Sequence, residues 1–128
     1  MKTKGFTLVE LLVVIAILAI LATVSVVGYT SFINDANESI ALQEMTQLRD
    51  ALKAEDITNN KFDLSDGLTA DEVTEIKTFV ATLKMTGAVN YDTTNGKISY
   101  SPADKDVKAE WVVTGQTITT STGKVTAN

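Results

Sequence analysis

The segment from Phe6 to Val27 runs 22 residues with only Thr7, Glu10, Thr23 and Ser25 interrupting an otherwise apolar sequence. As an α-helix it spans about 33 Å at ~1.5 Å per residue, enough for a bilayer hydrocarbon core of ~30 Å. One carboxylate, Glu10, lies near its start. A charged group inside a membrane helix costs roughly 2.5–3.5 kcal/mol on insertion scales, and such residues are functional by default. A cleaved secretory signal shares the basic start and apolar middle. However, the nearest small-residue endings, Ile20-Leu21-Ala22 and Val26-Val27-Gly28, each carry a bulky residue first, and the chain has no cysteine for a lipoprotein site. Lys2 and Lys4 hold the amino end in the cytoplasm while the remainder crosses outward.

Residues 4 to 12 read Lys-Gly-Phe-Thr-Leu-Val-Glu-Leu-Leu. A short basic leader ending in Gly5, an aromatic Phe6, a glutamate four residues later and an apolar tail resemble the class III signal of type IV pilins and pseudopilins. The match is close through Tyr29. The resemblance implies cleavage between Gly5 and Phe6 by a membrane aspartyl peptidase, followed by N-methylation of Phe6. It also implies that the Glu10 carboxylate meets the amino-terminal charge of a neighbouring subunit in an apolar filament core. The chemistry is consistent with each step. Gly5 has no side chain, so extended backbone there can enter a cleft closely. Cleavage leaves an ammonium at Phe6, one turn from Glu10, and both charges would be poorly solvated in the filament centre. Many pilins carry Pro where Val27 stands and Gly where Ala19 stands; here the sole proline is Pro102. Thr23 to Gly28 is β-branched and ends in glycine, a stretch of low helix propensity. The missing proline leaves a pseudopilin open.

From Ile33 the pattern turns amphipathic, with Ala41, Met45, Leu48 and Leu52 at helical spacing and Glu38, Glu44, Arg49, Asp50 and Lys53 elsewhere. One helix from Phe6 to about Asp56 is expected, roughly 75 Å long, with a bend at Gly28 or Asn34 to Asn37. Asn59-Asn60-Lys61 and Ser65-Asp66-Gly67 punctuate a loop. Thr69-Ala70-Asp71-Glu72 spells a capping box, with Leu68 and Val73 placed as a hydrophobic staple. Val73, Ile76, Phe79, Val80 and Leu83 then give a helix from Ala70 to Lys84 one apolar face. After Gly87 the period becomes two. Ala88–Asp92 and Lys97–Ser101 flank an Asn95-Gly96 hairpin turn. Val107–Thr114 and Gln116–Ser121 form two more strands, and Lys124–Thr126 an edge. The expected fold is α+β: a long amino-terminal helix whose first half spans a membrane, packed on a small head with a second helix and an antiparallel meander. This is the element order of pilin heads. The expected divisions are a leader at 1–5, an apolar transmembrane and assembly helix at 6–28, its amphipathic continuation at 29–57, and a head at 58–128 with three or four strands.

Of 128 residues, 11 are basic and 16 acidic, a net charge of −5. Loss of Lys2 and Lys4 with a five-residue leader leaves nine basic against the same 16. Such a surface disfavours binding to nucleic acid, whose phosphates need Lys and Arg. Without cysteine there is no disulfide or thiol chemistry, and without histidine the usual metal ligand and general base is missing. Asp104 and Asp106 beside Pro102 could contribute to a calcium site, but two acidic residues are a weak signal for an ion that takes six to eight oxygens; the reading favoured over it is a solvated acidic turn. Trp111 reads as a core residue of the sheet.

The expected function is therefore structural, with no catalytic, cofactor or metal site: a pilin that polymerises through its apolar helix into a surface filament for adhesion, twitching motility or related functions. The site residues are Gly5 and Phe6 for cleavage, Phe6 for methylation and Glu10 for subunit registration. The partners are further copies of the chain, a prepilin peptidase and methyltransferase, an assembly platform with its ATPase, and the membrane that holds unassembled subunits. A pseudopilin of a secretion or DNA-uptake system is the alternative. A monomeric membrane-anchored binding module is a distant one, because it leaves Gly5 and Glu10 unexplained.

Overall fold

A computed structural model describes residues 5–59 and 63–128. The leader lysines, Lys2 and Lys4, and the loop residues Asn60 and Lys61 lie outside the described residues. The element order is α1 (Leu8–Asn59), α2 (Ala70–Thr82), β1 (Ala88–Asp92), β2 (Lys97–Ser101), β3 (Val107–Val112) and β4 (Ile118–Thr122). This is the expected α+β arrangement of a long helix, a second helix and a four-stranded antiparallel sheet. The chain divides into two compact units, with the boundary after Asp35 inside α1.

The first unit is the apolar part of α1. Helix α1 stays helical through Thr23–Gly28 and on through Asn34–Asn37. The β-branched run cannot stop it, because propensity differences of a few tenths of a kcal/mol per residue are smaller than the cost of nucleating a helix a second time. The hydroxyls of Thr23, Ser25 and Thr30 turn back onto the carbonyls of Ala19, Leu21 and Val26, at 2.9, 2.7 and 2.9 Å. Each is satisfied within its own helix and needs no water.

In the second unit, the remainder of α1 and α2 pack with one face of the sheet. Ala41, Met45, Leu48 and Leu52 on α1 are at most 1% exposed, as their spacing predicts. The rest of the core comes from Ile76 and Val80 of α2, from Leu64 and Leu68, and from Val89, Tyr91, Ile98, Tyr100, Val107, Ala109, Trp111 and Val113. Leu83 departs from the expected apolar face. The helix ends at Thr82, and Leu83 is left 37% exposed. The reason is local: the chain turns through Lys84 at φ 53, which carries the backbone out of helical geometry.

The sheet order is β1-β2-β3-β4. Tyr91 pairs with Ile98, and Ile98 pairs with Trp111, so the large core residues stack across three strands. Asn95-Gly96 closes the first hairpin with Gly96 at φ 61. There the Asp92 carboxylate accepts from the amides of Thr94 and Asn95 and from the Asn95 side chain. These bonds, with the Asn95 side chain foremost, hold Asp92 below the usual carboxylate range. Arg49 donates to the Gln116 carbonyl at 2.6 Å, and the buried Trp111 donates its indole N–H to Gly115 at 2.9 Å. The β3–β4 turn is thereby pinned to both α1 and the core. Gly87 meets a harder requirement than turn geometry: a Cβ there would overlap the Ser101 carbonyl and the Tyr100 hydroxyl.

Candidate cleavage and assembly site

Gly5, Phe6 and Thr7 are not helical, and α1 begins at Leu8 rather than at Phe6 as expected. Thr7 is the reason. Its hydroxyl accepts the Glu10 N–H at 3.2 Å, while the Glu10 carboxylate accepts the Thr7 N–H at 3.3 Å. The Thr7 carbonyl accepts the Leu11 N–H, the first turn of the helix. Two amide hydrogens that the first helical turn leaves unpaired are satisfied reciprocally, which is a capping box. A carboxylate in the first turn also faces the positive end of the helix dipole.

The sequence carries this signal. Thr7-Leu8-Val9-Glu10 has the same Thr-x-x-Glu spacing as the box at Thr69–Glu72, which the structure also forms. Glu10 therefore has a partner within its own chain. One carboxylate oxygen, Oε2, is engaged by Thr7.

The three expected site residues come together at this end of α1. The Gly5–Phe6 bond precedes the helix by two residues, and Phe6 is 90% exposed. A Cβ on Gly5 would meet nothing within 4 Å, and Gly5 does not sit at positive φ. Among the described residues, nothing in the chain's own conformation requires glycine there.

Behind the box the helix is apolar on every side. From Phe6 to Phe32 the large apolar side chains are 50% to 90% exposed. A helix that is hydrophobic all round belongs in a membrane or among other helices. This one is long and apolar enough to cross a membrane.

Residues 1–26 match the family model described as the prokaryotic N-terminal methylation motif. This is the class III prepilin signal of type IV pilins and pseudopilins. The match ends well before the head, and neither a curated protein nor a solved structure matches the chain. The motif supports a subunit of pilin or pseudopilin type, structural rather than enzymatic, processed by a prepilin peptidase. Together with the apolar helix it fits membrane anchoring before assembly.

Proposed function

We propose that the chain is the structural subunit of a type IV pilus, cleaved between Gly5 and Phe6, methylated at Phe6 and polymerised through the apolar part of α1. The observation that carries this reading is the apolar helix exposed on every side, with a single carboxylate one turn inside its free end. Lipid solvates that surface before assembly. In a filament, burial among the same helices of other copies replaces lipid, so the exchange is close to balanced and subunits can be added or withdrawn.

Glu10 supplies direction and register. Apolar helices slide past one another at little cost, but an ammonium buried without a counter-charge is strongly penalised. Pairing of one subunit's Phe6 amine with a neighbour's Glu10 selects one stagger from many. The glycine requirement at position 5 falls on the peptidase cleft, since the chain itself imposes none. In the assembled state the heads cover the outside and give the filament its adhesive or motile character.

The direct test is the mass of membrane-extracted and sheared material. Protein beginning at methylated Phe6 and recovered in filaments visible by electron microscopy supports the reading. Protein beginning at Met1, or after Ala22, overturns it.

A further inference from the structure

β1 is an edge strand of the sheet, and the outward main-chain groups of its Tyr91 are closed by a side chain instead of by another strand. After β4 the chain turns at Gly123, whose φ is 110 and whose N–H donates to the Asp106 carbonyl at 3.0 Å. Residues 124–128 then return across the sheet without forming a strand, although Lys124–Thr126 was expected to be one. The Val125 N–H donates to the hydroxyl of the fully buried Ser101 at 2.8 Å. The Asn90 side-chain amide donates to the Thr126 carbonyl at 2.9 Å. At the end of the path, the Asn128 amide accepts the Tyr91 N–H and donates to the Tyr91 carbonyl, both at 2.9 Å.

The Asn128 side chain thus makes the pair of bonds that a residue of a neighbouring antiparallel strand would make. All three hydrogen bonds from this segment to β1 run through side-chain amides. Such a cover can leave one contact at a time, whereas a strand ladder leaves as a unit.

We propose that residues 124–128 are a removable guard on the β1 edge, and that the strand they keep out is β1 of a second copy. An unguarded edge is a template for pairing with another chain. The β1 sequence, Ala-Val-Asn-Tyr-Asp, suits a two-fold antiparallel pair centred on Asn90. In that register Val89 faces Tyr91 of the other copy, and both residues share the parity whose main-chain groups point outward. Asp92 faces Ala88, so no like charges are opposed. The two Asn90 residues occupy a non-hydrogen-bonded position, with Cα atoms ~4.5 Å apart. The guard does not depend on filament formation.

The chain lacks cysteine, so Asn90→Cys makes a single-cysteine reporter whose predicted spacing suits a disulfide. The full chain in detergent micelles is treated with diamide, comparing Asn90→Cys with Asn90→Cys/Asn128→Ala. Both arms lack the Thr126 contact, so the comparison isolates Asn128. Disulfide-linked dimer should form several-fold faster in the double variant, and Asn128→Asp, which keeps the acceptor and loses the donor, should fall between. Exchange of the Tyr91 amide hydrogen in Asn128→Ala should quicken roughly fivefold or more, the loss of one ~1 kcal/mol hydrogen bond. Unchanged Trp111 fluorescence verifies that the sheet is intact. Equal cross-linking in both arms, no cross-linking in either, or unchanged exchange at Tyr91 overturns the proposal.

Discussion

Two roles meet at Glu10, and replacement by glutamine separates them. In Glu10→Ala the capping box loses its Glu10 carboxylate and the proposed filament loses its counter-charge. In Glu10→Gln the side-chain carbonyl can still accept the Thr7 N–H, because Gln serves at this box position as Glu does. Only the charge disappears. Loss of a helix cap is worth about 1 kcal/mol, and the dipole contribution of a first-turn carboxylate roughly 0.3–1 kcal/mol. Either changes an equilibrium constant by no more than about fivefold. An ammonium left unpaired in an apolar interior costs about 3–5 kcal/mol, roughly two to four orders of magnitude in the constant for adding a subunit. The two explanations therefore predict very different outcomes. If the charge matters, Gln and Ala fail alike, while Thr7→Ala, which breaks the box and keeps the charge, loses no more than about fivefold. Thr7→Ser keeps the capping hydroxyl and should resemble wild type. The assay is sheared-filament yield normalised to processed subunit in the membrane. Filaments from Glu10→Gln at wild-type yield would refute the counter-charge role and leave Glu10 as a helix cap alone.

Four further outcomes are expected. Gly5→Val should leave a full-length, unmethylated precursor in the membrane, read by mass; normal processing would show that the peptidase does not need a bare backbone there. Deleting residues 1 to about 30 should give a soluble head that folds cooperatively, because the stripe of Ala41, Met45, Leu48 and Leu52 stays with the sheet; an unfolded product, or one that still polymerises, contradicts that division. Gly87→Ala should destabilise this head by about 1–3 kcal/mol or more, because the new Cβ overlaps a main-chain carbonyl that cannot step aside. A thermal melt should then fall by roughly 4–8 °C per kcal/mol, and an unchanged melting temperature would mean that β2 yields more easily than its two-sided burial implies. Burial pushes the Tyr91 phenol up to about 12. A folded-state value above the ordinary 10 means that this contribution to stability is complete below pH 10 and disappears as pH rises toward 12. Absorbance titration of tyrosinate should show a late-ionising group that Tyr91→Phe removes; tyrosines all titrating near 10 in folded protein would contradict the burial.

The parts legible in the sequence are those specified by neighbours in the chain. Asn95-Gly96 demands a left-handed turn, so the first hairpin falls where its strands were expected. Thr69 and Glu72 spell a helix start in four residues, and Met45, Leu48 and Leu52 mark one face by spacing alone. The Thr7–Glu10 box is as local as these, but it is harder to read. Its flanks are apolar on both sides, so the pattern alone extends the helix back to Phe6. What was not legible depends on distance. Arg49 reaches Gln116 across 67 residues, and nothing in either neighbourhood specifies the pairing. Lys124–Thr126 alternates as a strand does, yet its destination is set by how far the chain must travel from β4 to reach β1. Over that path it is anchored by Ser101, Asn90 and Tyr91 singly, and the ladder that alternation suggests never forms. The same contrast applies to Glu10. Its place one turn from Phe6 can be counted along the chain, and its bond to Thr7 follows from that place. Its proposed partner, an amine on another copy, is specified only by the packing of apolar helices around it.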